Sequence, residues 1–215
     1  MIRGKGRVVL LIVCLILYLA LCLLLAGHKL KRLDRQITIA SQQVASKALD
    51  WAFSLLTLFG SIELTTLVIL AMCWWLWKHG QARAALMLFF LFVFGNAVEL
   101  AFKQRLEARP PEIIFHRSVF GLTLVSVKTR YGFPSGHVWR TAFLVLTLGS
   151  FLRAKVSRFS WRIPLALILY VLLMAYSRIY LGDHWFSDAL GGVALAGIIF
   201  SFVETPAFQT QQGGA

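Results

Sequence analysis

The chain has 215 residues, of which 59% are hydrophobic and 14% charged, with a mean hydropathy of +0.74. A soluble domain is about 45–50% apolar, so this composition excludes a disordered chain, a coiled coil and an ordinary cytosolic enzyme. The net charge of +13 does not point to nucleic acid: the bases gather at the ends of apolar runs, where membrane headgroups and topology account for them.

The expected fold class is all-α: a polytopic membrane helical bundle with about six transmembrane helices, forming a single integral membrane domain over residues 1–215. The first span is Val8–Ala26, which follows Arg3, Lys5 and Arg7 and holds no charge. Its length exceeds the roughly 7–15 apolar residues of a signal peptide, so it reads as an uncleaved anchor. Gly27–Asp50 mixes polar residues with Leu33, Ile37 and Val44, as in an amphipathic helix lying in the interface. The second span is the later part of Trp51–Trp77, because Gly60, Ser61 and Glu63 interrupt the run, and Trp74, Trp75 and Trp77 form an interfacial belt. The third runs from Ala84 to Phe102, and a polar stretch from Lys103 to Gly132 follows it. The fourth runs from His137 to Leu152, the fifth from Ile163 to Leu181 and the sixth from Trp185 to Val203. Arg153, Lys155, Arg158 and Arg162 make a basic loop, and Pro206 opens a Gln/Gly tail. Cys14, Cys22 and Cys73 all lie inside apolar runs without ligand spacing and read as packed thiols. The segments Met1–Arg7, Lys78–Arg83 and Arg153–Arg162 hold bases and no acid, which favours an N-terminus on the inside.

Three polar clusters fall where polarity is expensive: Lys103 to Pro110, Pro134-Ser135-Gly136-His137, and Ser177-Arg178 with His184 and Asp188. They occupy the end of span three, the start of span four and the junction of spans five and six, so connectivity alone brings them to one side of the membrane. His184 and Asp188 are four apart and share a helical face; a carboxylate there fixes the imidazole's tautomer and leaves its other nitrogen to attack or to exchange a proton. Arg178 offers a planar fork suited to phosphate. Pro134 suits a first helical turn, Ser135 suits a cap and Gly136 permits close approach, so amides at this helix start favour an anion beside His137. Taken singly, each cluster also has a plain structural explanation: an interfacial salt bridge, a helix cap, or bases snorkelling to headgroups.

Together these residues resemble the signature of the type 2 phosphatidic acid phosphatase superfamily, whose pattern is K-x6-R-P, then P-S-G-H, then S-R-x5-H-x3-D. Pro134-Ser135-Gly136-His137 is intact, and so is Ser177-Arg178 followed at family spacing by His184 and Asp188. The first motif departs: Lys103 and Arg109 enclose five residues rather than six. Either the helix ends before Arg109 and absorbs the shift, or Arg105 takes the place of Lys103.

The resemblance implies a two-step phosphoryl transfer without metal or other cofactor, with the core motifs spanning residues 103–188. By that likeness His184 is the nucleophile, Asp188 orients it, and His137 protonates the leaving oxygen and then activates water. Lys103, Arg109, Ser135, Gly136 and Arg178 bind phosphate. The acids near the site, Asp183 and Asp188 with the more remote Glu107 and Glu112, do not make a divalent-ion cluster. The implied partner is a lipid phosphate or pyrophosphate in the bilayer, of the undecaprenyl pyrophosphate or phosphatidylglycerol phosphate type, and not a nucleic acid. The implied place is the bacterial inner membrane, with the site facing the periplasm or exterior. The alternatives are a lipid A phosphatase, a lipid phosphotransferase and, in another class, a non-catalytic lipid-phosphate transporter; vanadate-binding haloperoxidases share similar motifs but not the apolar spans.

Other residues read as structural. Glu99 reads as a polar pair with Asn96 or as a protonated acid, Glu63 as a buried carboxylate with a partner, and His116 as a loop residue. Gly192 and Ala196 have the spacing that lets helices pack closely. Arg140, one turn after His137, is left open between substrate and headgroup.

Overall fold

The structure is a computed structural model that describes residues 4–119, 129–155 and 160–203. Arg158 of the basic loop and the tail from Pro206 lie outside the described residues. Those described form eight α-helices and one short 3-10 turn, with no strand among them. The helices are α1 (Gly4–Ala26), α2 (Lys31–Gln42), α3 (Lys47–Leu58), α4 (Ile62–Lys78), α5 (Ala82–Arg105), α6 (Gly136–Lys155), α7 (Arg162–Tyr180) and α8 (Phe186–Phe200).

Local chemistry sets the breaks. Ser46 caps α3 by accepting from Leu49 N (3.3 Å) and Ser61 caps α4 by accepting from Leu64 N (3.2 Å). Gly80 at φ +74° turns α4 into α5, and Gly182 at φ +68° turns α7 into α8; that left-handed region suits glycine, which has no Cβ to clash. Pro164 sits in the first turn of α7, where a missing N–H costs no helical hydrogen bond.

Among the described residues, four stretches are long and apolar enough to cross a membrane: Lys5–Ala26, Lys47–Lys78, Ala82–Arg105 and Arg162–Tyr180. The second contains both α3 and α4, divided where Gly60 and Ser61 interrupt the sequence. The remaining expected spans are α6, which carries His137, Arg140 and Thr141, and α8, which has only 15 residues. Both are largely buried against other helices, so neither needs the uniform apolarity of a lipid-facing span.

Packing explains why these two sit at the centre. Lipid tails are as apolar as leucine, so helices associate through close contact rather than hydrophobic burial. A Cβ on Gly192 of α8 would lie 2.8 Å from the Ser135 carbonyl and 3.0 Å from Trp139 N. Gly197 likewise takes the Cys14 thiol of α1, and Ala196 is fully buried. Trp139 of α6 fills the space over Gly95 of α5 and stacks between Phe92 and Phe143 at 5.8 and 5.7 Å.

The amphipathic helix is present as α2, but its polarity is inverted relative to a helix on a soluble protein. Asp34, Thr38 and Ser41 are the buried residues, while Leu33 and Val44 beyond its end are exposed. Asp34 explains the orientation: its carboxylate accepts from Ser187 N (2.9 Å) and Ser187 Oγ (2.7 Å) in the first turn of α8. Burial pushes the Asp34 carboxyl up and the Ser187 hydrogen bonds pull it back.

Candidate active site

The C-terminal end of α5, the N-terminal end of α6, the C-terminal end of α7 and the N-terminal end of α8 meet on one side of the bundle. Backbone hydrogen bonds tie their connections together. Tyr131 N donates to Lys103 O (3.1 Å), Gly132 N to Ala108 O (2.8 Å), Ser135 N to Asp188 O (2.9 Å) and Arg117 N to Leu181 O (2.9 Å). The three polar clusters of the sequence therefore converge.

His184 stands in the turn between α7 and α8 and is buried. Its Nδ1 lies 3.3 Å from Asp188 Oδ2, which also accepts from Trp185 N at 3.0 Å. Gly132 permits this arrangement, since a Cβ there would lie 2.9 Å from Asp188 Oδ2. The imidazole is held well below its ordinary pKa, first by burial and then by the positive charges of Lys103, Arg178 and Arg140, with the Gly132 carbonyl opposing. Neutral imidazole, the form with a free lone pair, is thus the resting state at neutral pH. His137, in the first turn of α6, feels the charges of the same three cations and of His184.

Arg178, in the last turn of α7, is paired through Nη1 with Asp183 Oδ2 at 2.9 Å. Lys103 Nζ is paired with Glu99 Oε1 at 2.8 Å, one helical turn back on α5. Three buried polar atoms here have no hydrogen-bond partner among the described residues: Ser135 Oγ, Arg178 Nε and Asp188 Oδ1. Two of them are donors, and they flank cations that already feel one another. That set suits an anion. Among the described residues no group of three or more His, Cys, Asp or Glu side chains is arranged to hold a metal ion.

The departure in the first motif resolves at the helix end. α5 stops at Arg105; Leu106 is extended and Ala108 N donates back to Leu106 O at 2.7 Å, so the chain to Arg109 is not helical and the five-residue spacing imposes no helical rotation. Lys103 is the base turned towards the histidines, whereas Arg105 is exposed. Arg109 is exposed, and its carbonyl accepts from Trp185 Nε1 at 2.8 Å. Gly136 opens α6 in close contact with the Glu99 carboxylate.

Two structural readings take definite form. Glu99 is not simply a partner of Asn96: it joins Lys103 to Arg140, whose Nη1 lies 2.8 Å from Oε2, and accepts from Trp139 Nε1 at 2.7 Å. Arg140, open between substrate and headgroup from the sequence, is buried, with Asn96 Oδ1 at 3.2 Å and the Gly60 carbonyl at 3.3 Å, and its Nη2 lies against Gly136. Sequence reasoning also passed over Asp34 and the positional role of Asp183. A signal for the first was available, because Asp34, Thr38 and Ser41 recur at helical spacing on one face of α2.

The arrangement defines a class: a helical membrane protein with a buried, carboxylate-oriented histidine beside fixed cations. The sequence profile of the PAP2 superfamily matches residues 84–211, and the chain belongs to that superfamily. Among solved structures, the chain is similar to a transmembrane PAP2-type phosphatidylglycerolphosphate phosphatase from Bacillus subtilis, at 19% identity over 94% of both chains with a TM-score of 0.76. It is also similar to LpxE from Aquifex aeolicus, at 23% identity over 79% of this chain and 92% of that one with a TM-score of 0.50. At these identities the likeness is one of fold. A search of the curated proteins finds no match.

Proposed function

We propose that the protein hydrolyses a lipid phosphate or pyrophosphate through a phosphohistidine, without a metal ion. The observation that carries this reading is the buried His184–Asp188 pair at 3.3 Å, set among Lys103, Arg178 and the unpartnered Ser135 hydroxyl. In the first step a lone pair of the neutral His184 ring attacks phosphorus and the bond from phosphorus to the lipid-side oxygen breaks. His137, which enters this step as imidazolium once the substrate's phosphate charge is bound beside it, gives its proton to that oxygen. In the second step His137 takes a proton from water as the water oxygen attacks phosphorus; the N–P bond breaks and orthophosphate leaves. Asp188 fixes the ring and offsets the charge it gains. Lys103, Arg109 and Arg178, with Ser135 and the Gly136 amide, hold the equatorial oxygens, so that positioning and charge compensation lower the barrier.

The site lies at helix ends, at headgroup depth, where a phosphate enters from the side while its lipid tail stays in the bilayer. Undecaprenyl pyrophosphate and phosphatidylglycerol phosphate are the substrates of first choice. With the N-terminus inside, the site faces the periplasm or exterior of a bacterial inner membrane.

The test is phosphate release from each of these two lipids in detergent with EDTA present, comparing the wild type with His184→Ala. Release that vanishes in the variant supports the reading. Release that survives both EDTA and the substitution overturns it. A lipid not attacked by active protein is struck from the substrates.

A further inference from the structure

We infer that Asp183 is a positioning residue that half-neutralises Arg178, aiming its free edge at the phosphate and limiting how tightly the site retains the product. This rests on the reading of Arg178 as a phosphate ligand. Asp183 is not among the motif residues, yet it is locked into the site from several directions. Gly182 at φ +68° reverses the chain so that Asp183 N and His184 N both donate to Arg178 O, at 3.1 and 3.2 Å. The nucleophile, the clamp and the carboxylate thus share a single turn. Asp183 Oδ2 lies 2.9 Å from Arg178 Nη1 and accepts from Ser118 Oγ at 2.9 Å, and its Oδ1 lies 3.8 Å from His116 Nε2.

The pairing divides the guanidinium. Asp183 takes Nη1, while Nε is buried and without a partner among the described residues. A planar fork has one edge for a carboxylate and another for an anion. Holding the first edge fixes the rotation of the second. The same carboxylate offsets much of the positive field of Arg178 in a site of low polarity, where uncompensated charge acts strongly. A doubly charged orthophosphate therefore meets a clamp that is oriented but only partly positive, and can leave. Ser118 shares Asp183 Oδ2 with Arg178 while His116 faces Oδ1, and Arg117 between them is anchored to Asp50 by two hydrogen bonds of 2.9 Å.

The experiment measures kcat on a lipid phosphate and the inhibition constant of orthophosphate for the wild type and for Asp183→Asn, Asp183→Glu and Arg178→Ala, all in detergent with melting temperatures recorded. In Asp183→Asn the shape is kept and the charge is lost. Orthophosphate is expected to bind about tenfold tighter while kcat falls about tenfold. Asp183→Glu restores the charge and brings the inhibition constant back towards the wild type. Simple structural damage lowers kcat as well but moves the orthophosphate affinity the other way: weaker orthophosphate and lower kcat in Asp183→Asn, with Arg178→Ala also weak, overturns the inference alone. Unchanged orthophosphate affinity in Asp183→Asn does the same. Orthophosphate affinity that survives Arg178→Ala overturns the assignment of Arg178 and this inference with it. Should Asp183→Asn fail to fold, phosphate-dependent melting of Asp183→Glu decides: a shift equal to the wild type supports the charge argument and a weaker one overturns it.

Discussion

Along α1, the side chains of Val9, Ile16 and Leu23 point outward and only their apolarity matters. Along α8, by contrast, Gly191, Gly192, Ala194, Ala196 and Gly197 are all buried, and the first turn carries Asp188 and Ser187 in specific hydrogen bonds. The outer helix has a hydropathy requirement and the inner one a steric and polar requirement. The candidate site gathers around the inner pair, α6 and α8, where polar groups are surrounded by protein instead of lipid. The Glu99–Lys103 and Glu99–Arg140 pairs extend that polar centre onto α5.

Substitutions on the two kinds of helix sharpen the contrast. The largest effect is expected for Asp188→Asn, which keeps the side-chain shape at 3.3 Å from His184 but loses the charge. Phosphate release should fall on the order of 10³–10⁴-fold, as when a histidine loses the carboxylate that orients it; a fall under tenfold breaks the assignment. Gly192→Ala comes next, since its Cβ would meet backbone at 2.8 Å rather than a flexible side chain. A loss of about 1–3 kcal/mol is expected, read from melting in detergent together with reduced activity.

A third prediction concerns pH. Burial and the charge of Lys103 lower the pKa of His184, so the acid limb of kcat/KM in the wild type should lie below the usual histidine value of about 6.5. Lys103→Ala removes a positive charge that disfavours imidazolium, so the limb should move to higher pH, whatever the loss in overall rate. A limb that stays fixed means that His184 is not the group titrating. The smallest effect belongs to the outer shell. Leu23→Ala, at a position 76% exposed, should change stability by less than about 0.5 kcal/mol and leave phosphate release unaltered; a larger change shows that α1 has a partner at that position.

The same contrast decides what was legible in the sequence. The spans were readable because hydropathy reports lipid exposure, and their order placed the three clusters on one side. His137, His184 and Asp188 stood out because polarity near an apolar run is costly. Asp183 and Asp34 did not, because their meaning lies in contacts with Arg178 and with Ser187, residues brought close only by the turn at Gly182 and by α2 folding back. Glu99 was visible as a costly carboxylate, and Lys103 four residues on shares its helical face, but the pairing with Arg140 crosses helices and leaves no local spacing to read. The shortened first motif was ambiguous for a similar reason: helical arithmetic applied beyond Arg105, where the helix has ended.

The 15 residues of α8 rise about 22 Å at 1.5 Å per residue, less than the roughly 30 Å of a bilayer's hydrocarbon core. The helix bearing Asp188 is therefore fitted to the other helices of the protein, not to the thickness of the membrane. A thicker or thinner bilayer must be met by tilt or local deformation at the lipid-facing helices, while the α6–α8 contact at Gly192 is set by backbone atoms that touch no lipid. The spacing between α6 and α8 at the candidate site is therefore set by protein contacts and not by acyl-chain length.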